Sequence, residues 1–160
     1  PGGPSRAAEV AYWTGCAHEA LGDTTRARAS WTEAAAVSAP TEGGRRGGRG
    51  GTGGALAGRA SRYFQALALR KLNQADQAAT IFRDLVAAGA AALAASTETA
   101  DTAPGFGPPQ SARARAATAH YLIGLGHAGL GEKEKARAEL TAALAATPDH
   151  LGAKLALGQL

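Results

Sequence analysis

Residues 117–148 read ATAHYLIGLGHAGLGEKEKARAELTAALAATP and contain the pattern that decides the fold. A first apolar segment ends at Gly131, and a second segment carries Ala136 and, four positions later, Leu140. Glycine accepts the left-handed backbone conformation that ends a helix, and residues four apart lie on the same helical face. The closing proline cannot continue a helix. The stretch therefore predicts two helices joined by a tight turn.

The same pattern occurs twice more, in residues 8–39 and 59–90, and the three segments align without internal gaps. Each has a tyrosine, a small residue three positions later, a turn residue, and a small and a large apolar residue four positions apart. A small residue in the first helix lets the second helix approach closely. The aligned columns are Tyr12, Tyr63 and Tyr121; Gly15, Ala66 and Gly124; Gly22, Asn73 and Gly131; Ala27, Ala78 and Ala136; and Trp31, Phe82 and Leu140. We therefore predict an all-α fold built from repeated helical hairpins.

This pattern resembles the tetratricopeptide repeat family, in which each unit has two antiparallel helices, a glycine at the turn and a closing proline. The resemblance implies a helical-hairpin repeat, an α-solenoid of three divergent units plus a short C-terminal helix. Asp149 is the predicted N-cap of that last helix. The second unit departs from the pattern because Asn73 stands at its turn and no proline closes it. The predicted domain covers residues 6–160, with units at about residues 6–39, 58–90 and 112–148 and the terminal helix at residues 149–160.

The units are not evenly spaced. Tyr12 and Tyr63 are 51 residues apart, and Tyr63 and Tyr121 are 58 residues apart, whereas the family repeats every ~34 residues. The extra residues fall between units. Residues 41–54, TEGGRRGGRGGTGG, are predicted to form a Gly/Arg-rich flexible insert. Residues 98–110 are predicted to form a Pro/Gly-rich loop, with the preceding AALAAS stretch extending a helix.

The composition limits the chemistry that this chain can perform. Cys16 is the only cysteine in 160 residues, so neither an internal disulfide nor a thiolate metal cluster is possible. No Ser/His/Asp constellation and no pair of carboxylates stands out. We therefore predict no catalytic residues, no cofactor and no metal, and hence no enzymatic activity.

The sequence contains no methionine, which predicts a fragment whose N-terminus is missing. No uninterrupted apolar run approaches the ~20 residues that a membrane span needs. We therefore expect a soluble, cytoplasmic chain with no membrane partner.

The tyrosine column is the strongest candidate for a binding site. In the geometry that the resemblance implies, this point of the first helix faces a concave groove, where rigid aromatic side chains suit peptide recognition. The alternative is that the tyrosines are half-buried packing residues between consecutive units. The predicted peptide-groove residues are Tyr12, Trp13, Tyr63, Phe64, Arg70 and Tyr121.

Three functions follow from these patterns. The first is a non-catalytic interaction or scaffolding module that binds a protein or peptide, including an N-terminal domain of the same full-length chain. The second is an accessory domain of a carbohydrate-active enzyme. Stretches such as HYLIGLGHAGLGEKEKA resemble the C-terminal repeat region of large bacterial proteins with sugar-processing-like β-sandwich domains. The third is weak nucleic-acid binding through Gly43–Lys71, which carries arginines and a lysine but no acid. Nucleic acid is the less favoured partner because the insert has no aromatic residue for stacking.

Overall fold

The computed structural model describes residues 6–37, 58–102 and 109–160. Within these ranges the chain is helical and contains no strand. In the described ranges, six helices form three antiparallel hairpins, and a short seventh helix follows them. The helices are α1 (Ala7–Ala20), α2 (Thr24–Ala36), α3 (Ser61–Lys71), α4 (Ala75–Thr102), α5 (Pro109–Gly129), α6 (Lys133–Ala146) and α7 (Leu151–Gly158). The predicted all-α helical-hairpin fold is confirmed in these ranges.

The three hairpin turns have the same backbone geometry. Gly22, Asn73 and Gly131 have φ angles of +79°, +63° and +81°, in the left-handed region. In the turn after α5, the amide of Gly131 donates to the carbonyl of Ala128 at 3.1 Å, and the next amide donates to the carbonyl of His127 at 2.9 Å. These two bonds satisfy carbonyls that the end of a helix leaves free, and the other two turns repeat them. The predicted turn positions are therefore confirmed.

Each hairpin is closed by a small residue that faces a large one. A Cβ added to Gly124 would lie 2.7 Å from Cγ of Leu140, closer than real Cβ contacts come. An added Cβ at Gly15 would overlap the indole ring of Trp31 in the same way. Because α1 and α5 carry glycine at this point, α2 and α6 can pack against them at close range.

Phe82 connects the second unit to the third. Its ring is buried in a cluster with Leu69 and Leu85 of its own unit and with Leu122 of α5. A Cβ added to Gly129 of α5 would overlap the Phe82 ring. The core of the second unit therefore extends into α5 of the third unit, while Leu140 and Ala143 of α6 form a separate cluster with Ala153 of α7.

The predicted Pro/Gly-rich loop overlaps a helix at each of its ends. We predicted a Pro/Gly-rich loop over residues 98–110, but α4 continues to Thr102 and α5 begins at Pro109. No glycine or proline interrupts the chain between Ala90 and Ala103, and Pro104 disfavours the helical conformation of the residue before it. Proline at the first helical position loses no hydrogen bond. The predicted insert at residues 41–54 lies outside the described residues.

Residues 75–95 of α4 are long and apolar enough to cross a membrane by length and composition. This is weak evidence, because a helix in the core of a soluble protein passes the same test. One face of α4 packs on α3 and α5 and buries Ile81, Phe82 and Leu85.

The last helix begins one residue later than predicted. Its N-cap is His150 rather than Asp149, and the ring nitrogen Nδ1 of His150 accepts a hydrogen bond from the amide of Ala153 at 3.1 Å. Leu151 is the first helical residue, so Asp149 lies one position too early to reach the free amides. Helix α7 packs across Tyr121, where a Cβ on Gly152 would lie 2.8 Å from the ring carbon Cζ.

Candidate functional site

The first helices of the three units and α7 surround one groove. This cavity has a volume of about 510 Å³ and is lined by side chains from α1, α3, α5 and α7, together with Lys133 at the start of α6. Its apolar lining includes Trp13, Tyr63, Phe64, Tyr121, Leu151 and Leu155. The structure therefore brings four of the predicted groove residues to one cavity.

The aromatic rings of α1 and α3 form a continuous surface along the groove. The Trp13 and Phe64 ring centroids are 6.4 Å apart, and Tyr63 meets Phe64 edge-on at 5.5 Å. Tyr63 also contacts the buried Phe82 ring at 5.8 Å. Trp13 is 46% exposed, while the rings behind it are partly buried. The exposed Trp13 ring is therefore supported by rings that the core holds in place.

Tyr12 lies behind this surface and does not line the cavity. Its ring contacts Trp13 at 5.2 Å and Phe64 at 6.0 Å, and it packs against the core cluster of the first unit around Trp31. Burial raises the pKa of Tyr12, and its hydrogen bond with Cys16 raises that pKa further. The position of Tyr12 matches the packing alternative, and its ring supports the aromatic surface from below.

Tyr63 and Tyr121 combine packing with exposure to the groove. Burial raises the pKa of Tyr63, partly offset by the positive charge of Arg70. Burial also raises the pKa of Tyr121 to about 12, with a smaller contribution from Glu9 across the groove. The Tyr121 ring lies 4.7 Å from the ring of His150 and packs under α7. Both phenols stay neutral at physiological pH and keep a hydroxyl that can donate a hydrogen bond.

Arg70 is beside the groove rather than in it. Its guanidinium nitrogen Nη1 donates to the carbonyl oxygen of Gly129 at 3.2 Å, at the C-terminal end of α5. A cation is favourable there because the end of a helix carries partial negative charge. Arg70 therefore connects two units, and its predicted role in the groove does not follow from its position.

The groove has a mixed charged rim. Arg6, Glu9 and Lys133 line it, and Ser61 and Gln159 add uncharged polar groups. Within the described ranges, no three His, Cys, Asp or Glu side chains are arranged to hold a metal ion.

The contribution of α7 was not predicted. Leu151 and Leu155 line the groove and are 65% and 59% exposed. From the sequence we predicted only a short terminal helix here, with no part in the groove. One signal was available, because Leu155 follows Tyr121 by 34 residues, the period of the family.

Two basic residues in the described part of the stretch Gly43–Lys71 are paired with acids from other helices. Arg62 lies 3.5 Å from Asp84, and Lys71 lies 2.5 Å from Glu19. The Lys71 ammonium also lies 5.1 Å from the centre of the Trp31 ring. These contacts leave less positive charge for phosphate groups than the sequence indicates.

Two segments of the chain match the tetratricopeptide repeat family, residues 61–88 and residues 117–150. The first segment contains α3 and the first half of α4. The second contains most of α5, the turn at Gly131 and all of α6. No curated protein and no solved structure matches the chain. The weaker resemblance to bacterial proteins with β-sandwich domains has no support from these matches.

Proposed function

We propose that this chain, which contains tetratricopeptide repeats, binds a peptide segment of a partner protein in its concave groove. Tetratricopeptide repeats generally mediate protein–protein interaction and are typically non-catalytic. The observation that carries the proposal is the cavity of about 510 Å³ lined by Trp13, Tyr63, Phe64 and Tyr121.

Aromatic rings give such a groove its binding energy. They offer a large apolar area and lose little conformational entropy when a ligand covers them. The Trp13 ring is accessible, and Phe64 lies between Trp13 and Tyr63. A bulky apolar side chain of the peptide would therefore pack on Trp13 and Phe64.

The polar rim favours a particular kind of peptide. Arg6 and Lys133 outnumber Glu9 among the charged lining residues. Ser61 and Gln159 are placed on the same lining and can bond to a peptide backbone. We expect a segment that combines bulky apolar side chains with a carboxylate.

Peptide selection tests this proposal. The purified chain is used to select binders from a displayed library of random peptides, and affinity is then measured by fluorescence anisotropy. Replacing Trp13 or Phe64 with alanine should weaken binding by about tenfold or more, since buried aromatic contacts often contribute ~2 kcal/mol. Leu21→Ala is the matched control, because Leu21 is 81% exposed and does not line the groove.

Circular dichroism would first establish that each variant keeps the helicity of the parent. Selected peptides that bind both aromatic variants as tightly as the parent would show that the groove is not the binding site. An equal loss of peptide affinity in the Leu21→Ala control would also show that the groove is not the binding site.

A further inference from the structure

Helix α7 forms one wall of the groove, and a single histidine begins it. Leu151, Gly152 and Leu155 line the cavity together with Tyr121 of α5. The helix has eight residues, Leu151–Gly158, and a helix this short is not stable in water without further contacts. The position of this wall therefore depends on how α7 is capped and on what its first turn packs against.

The cap of α7 requires an unprotonated ring. The amide of Ala153 donates to Nδ1 of His150 at 3.1 Å. A ring nitrogen accepts a hydrogen bond only without its own proton, so the cap needs neutral imidazole that is protonated on Nε2. A proton on Nδ1 would place two donors against each other. It would also add positive charge at the end of the helix that already carries partial positive charge. Both effects weaken the start of α7.

The same histidine contacts the floor of the groove. The ring centroids of His150 and Tyr121 lie 4.7 Å apart, and the ring planes are tilted by 49°. Gly152 follows two residues later and lies against the other end of the tyrosine ring. A Cβ added there would lie 2.8 Å from Cζ and 2.9 Å from the hydroxyl oxygen of Tyr121. His150 and the first turn of α7 therefore pack on one groove residue together.

Few charged groups surround His150. Tyr121 is the titratable residue of α5 in contact with it, and burial raises the pKa of that phenol to about 12. Asp149 precedes the histidine, and the amide of Lys154 in α7 donates to the carbonyl of His150 at 3.2 Å. Residues 140–146, the end of α6 that leads into this loop, carry no titratable side chain. Burial lowers the pKa of His150, partly offset by a hydrogen bond with its own backbone, so the ring is neutral at ~pH 7.

We propose that protonation of His150 releases the first turn of α7 from Tyr121 and thereby lowers the affinity of the groove for peptide. This control rests on the peptide groove proposed above and makes it sensitive to acid. With neutral imidazole, the cap and the ring contact hold Leu151 and Leu155 in the groove wall. With imidazolium, the cap bond is lost, and the two leucines no longer cover the bound peptide.

One contact opposes this direction. An imidazolium ring is attracted to the face of an aromatic ring, so the contact with Tyr121 favours the protonated state. However, Nδ1 is directed at the Ala153 amide, and the tilt of 49° keeps the two rings from lying face to face. Loss of the cap bond and the charge at the helix end act together against this one attraction. We therefore expect acid to release α7 rather than to tighten it.

Hydrogen exchange tests the release of α7 without any peptide. Protection factors of the amides of residues 151–158 are measured in the full chain at ~pH 7.5 and ~pH 5, on either side of the usual histidine pKa. Each is taken relative to the intrinsic exchange rate at the same pH. Protection should fall about fivefold in acid, which corresponds to the ~1 kcal/mol of an N-cap. Residues 133–146 of α6 should lose less protection, because their contacts with α5 remain.

Variants at three histidines assign the effect. His150→Asn caps with an oxygen that does not titrate, so protection of α7 should be the same at both pH values. His150→Lys carries a charge and no acceptor, so it should show the acid behaviour already at ~pH 7.5. His120→Gln and His127→Gln are matched controls. These two histidines bind Glu139 and Glu132, do not line the groove, and should leave the pH dependence of α7 unchanged.

Peptide affinity tests the consequence for the groove. Peptides selected at ~pH 7.5 and free of histidine are titrated by anisotropy at both pH values, where their carboxylates stay largely ionised. Affinity for the parent should fall about threefold in acid, because it scales with the fraction of chains that have α7 in place. Affinity for His150→Asn should not fall. Circular dichroism at each pH establishes that the variants keep the helicity of the parent.

The two measurements separate this control from the groove itself. If no peptide binds at ~pH 7.5, the proposed function fails and the control of affinity fails with it, while exchange still shows whether His150 holds α7. Protection of α7 that is absent at both pH values, or equal at both, would overturn the proposal. An acid loss that persists in His150→Asn would do the same. Affinity that is unchanged or higher in acid would show that the contact with Tyr121 prevails and that the proposed direction is wrong.

Discussion

Replacing Gly124 with alanine should destabilise the third hairpin although alanine is the better helix former. The new Cβ would lie 2.7 Å from Cγ and 2.8 Å from Cδ2 of Leu140. Leu140 is fully buried, so it cannot move aside without disturbing its neighbours. Overpacking of this kind costs ~1–3 kcal/mol, and the gain in helix propensity offsets ~1 kcal/mol of that cost. We expect a net loss of ~0–2 kcal/mol in the free energy of unfolding.

The sign of this effect should reverse when the large residue is removed. Leu140→Ala alone should cost ~2–5 kcal/mol, as truncation of a buried leucine does. In that background the Cβ introduced at position 124 would enter the emptied space, so Gly124→Ala should stabilise by ~1 kcal/mol through helix propensity. The two substitutions should therefore couple by ~1–3 kcal/mol, within the range seen for contacting residues.

Urea unfolding followed by circular dichroism at 222 nm measures all four members of this cycle. A coupling energy below ~0.5 kcal/mol would refute the reasoning, because independent sites add within that margin. Such a result would mean that the close approach of α5 and α6 does not depend on the glycine.

Three further predictions concern single positions. Asn73→Gly should raise the melting temperature, because Asn73 has a φ of +63° and glycine adopts this conformation without strain. Burial lowers the pKa of His150 below its ordinary value of 6.5. Its contribution to stability is therefore complete above pH 6.5 and is lost as the pH falls through the folded-state pKa, so exchange of the Ala153 amide should accelerate in acid. The hydrogen bonds of Lys135 and His127 lower the pKa of Glu132, so Glu132→Gln should reduce the melting temperature at ~pH 7 but not in acid below the folded-state pKa, where the carboxyl is protonated in both states.

Each of these has a control on the same residue. Asn73→Val should lower the melting temperature, and an increase would contradict the strain argument. His150→Asn keeps a capping oxygen that does not titrate. In this variant, hydrogen exchange of the Ala153 amide should therefore not show the acceleration in acid that protonation of His150 causes. If Glu132→Gln shifts the melting temperature equally in acid and at neutral pH, the two hydrogen bonds do not stabilise the turn through charge.

Local patterns in the sequence predicted the hairpins well. Gly22 and Gly131 define their turns through backbone conformation alone, and this depends on a few neighbouring residues. The pairing of Gly15 with Trp31 also follows from the spacing within one unit. These features involve short-range geometry, so the sequence shows them directly.

The groove was harder to predict because it depends on how units stack. The family resemblance placed Arg70 and Tyr12 in it, but Arg70 turns toward Gly129 and Tyr12 packs behind Trp13. Leu155 was missed since α7 is only eight residues long and lacks a hairpin partner in the described part of the chain. Which side chains share a cavity depends on rotations between units, and no periodicity within a unit encodes them.

The contact between Phe82 and Gly129 constrains how this sequence can evolve. Any side chain larger than hydrogen at position 129 would overlap the Phe82 ring, so a mutation there is tolerated only after the ring has become smaller. Because the two residues lie in different units, the residue at one position restricts which residues are tolerated at the other. A hairpin duplicated or exchanged by recombination would succeed only beside a neighbour that carries the matching residue, which makes this array hard to shuffle unit by unit.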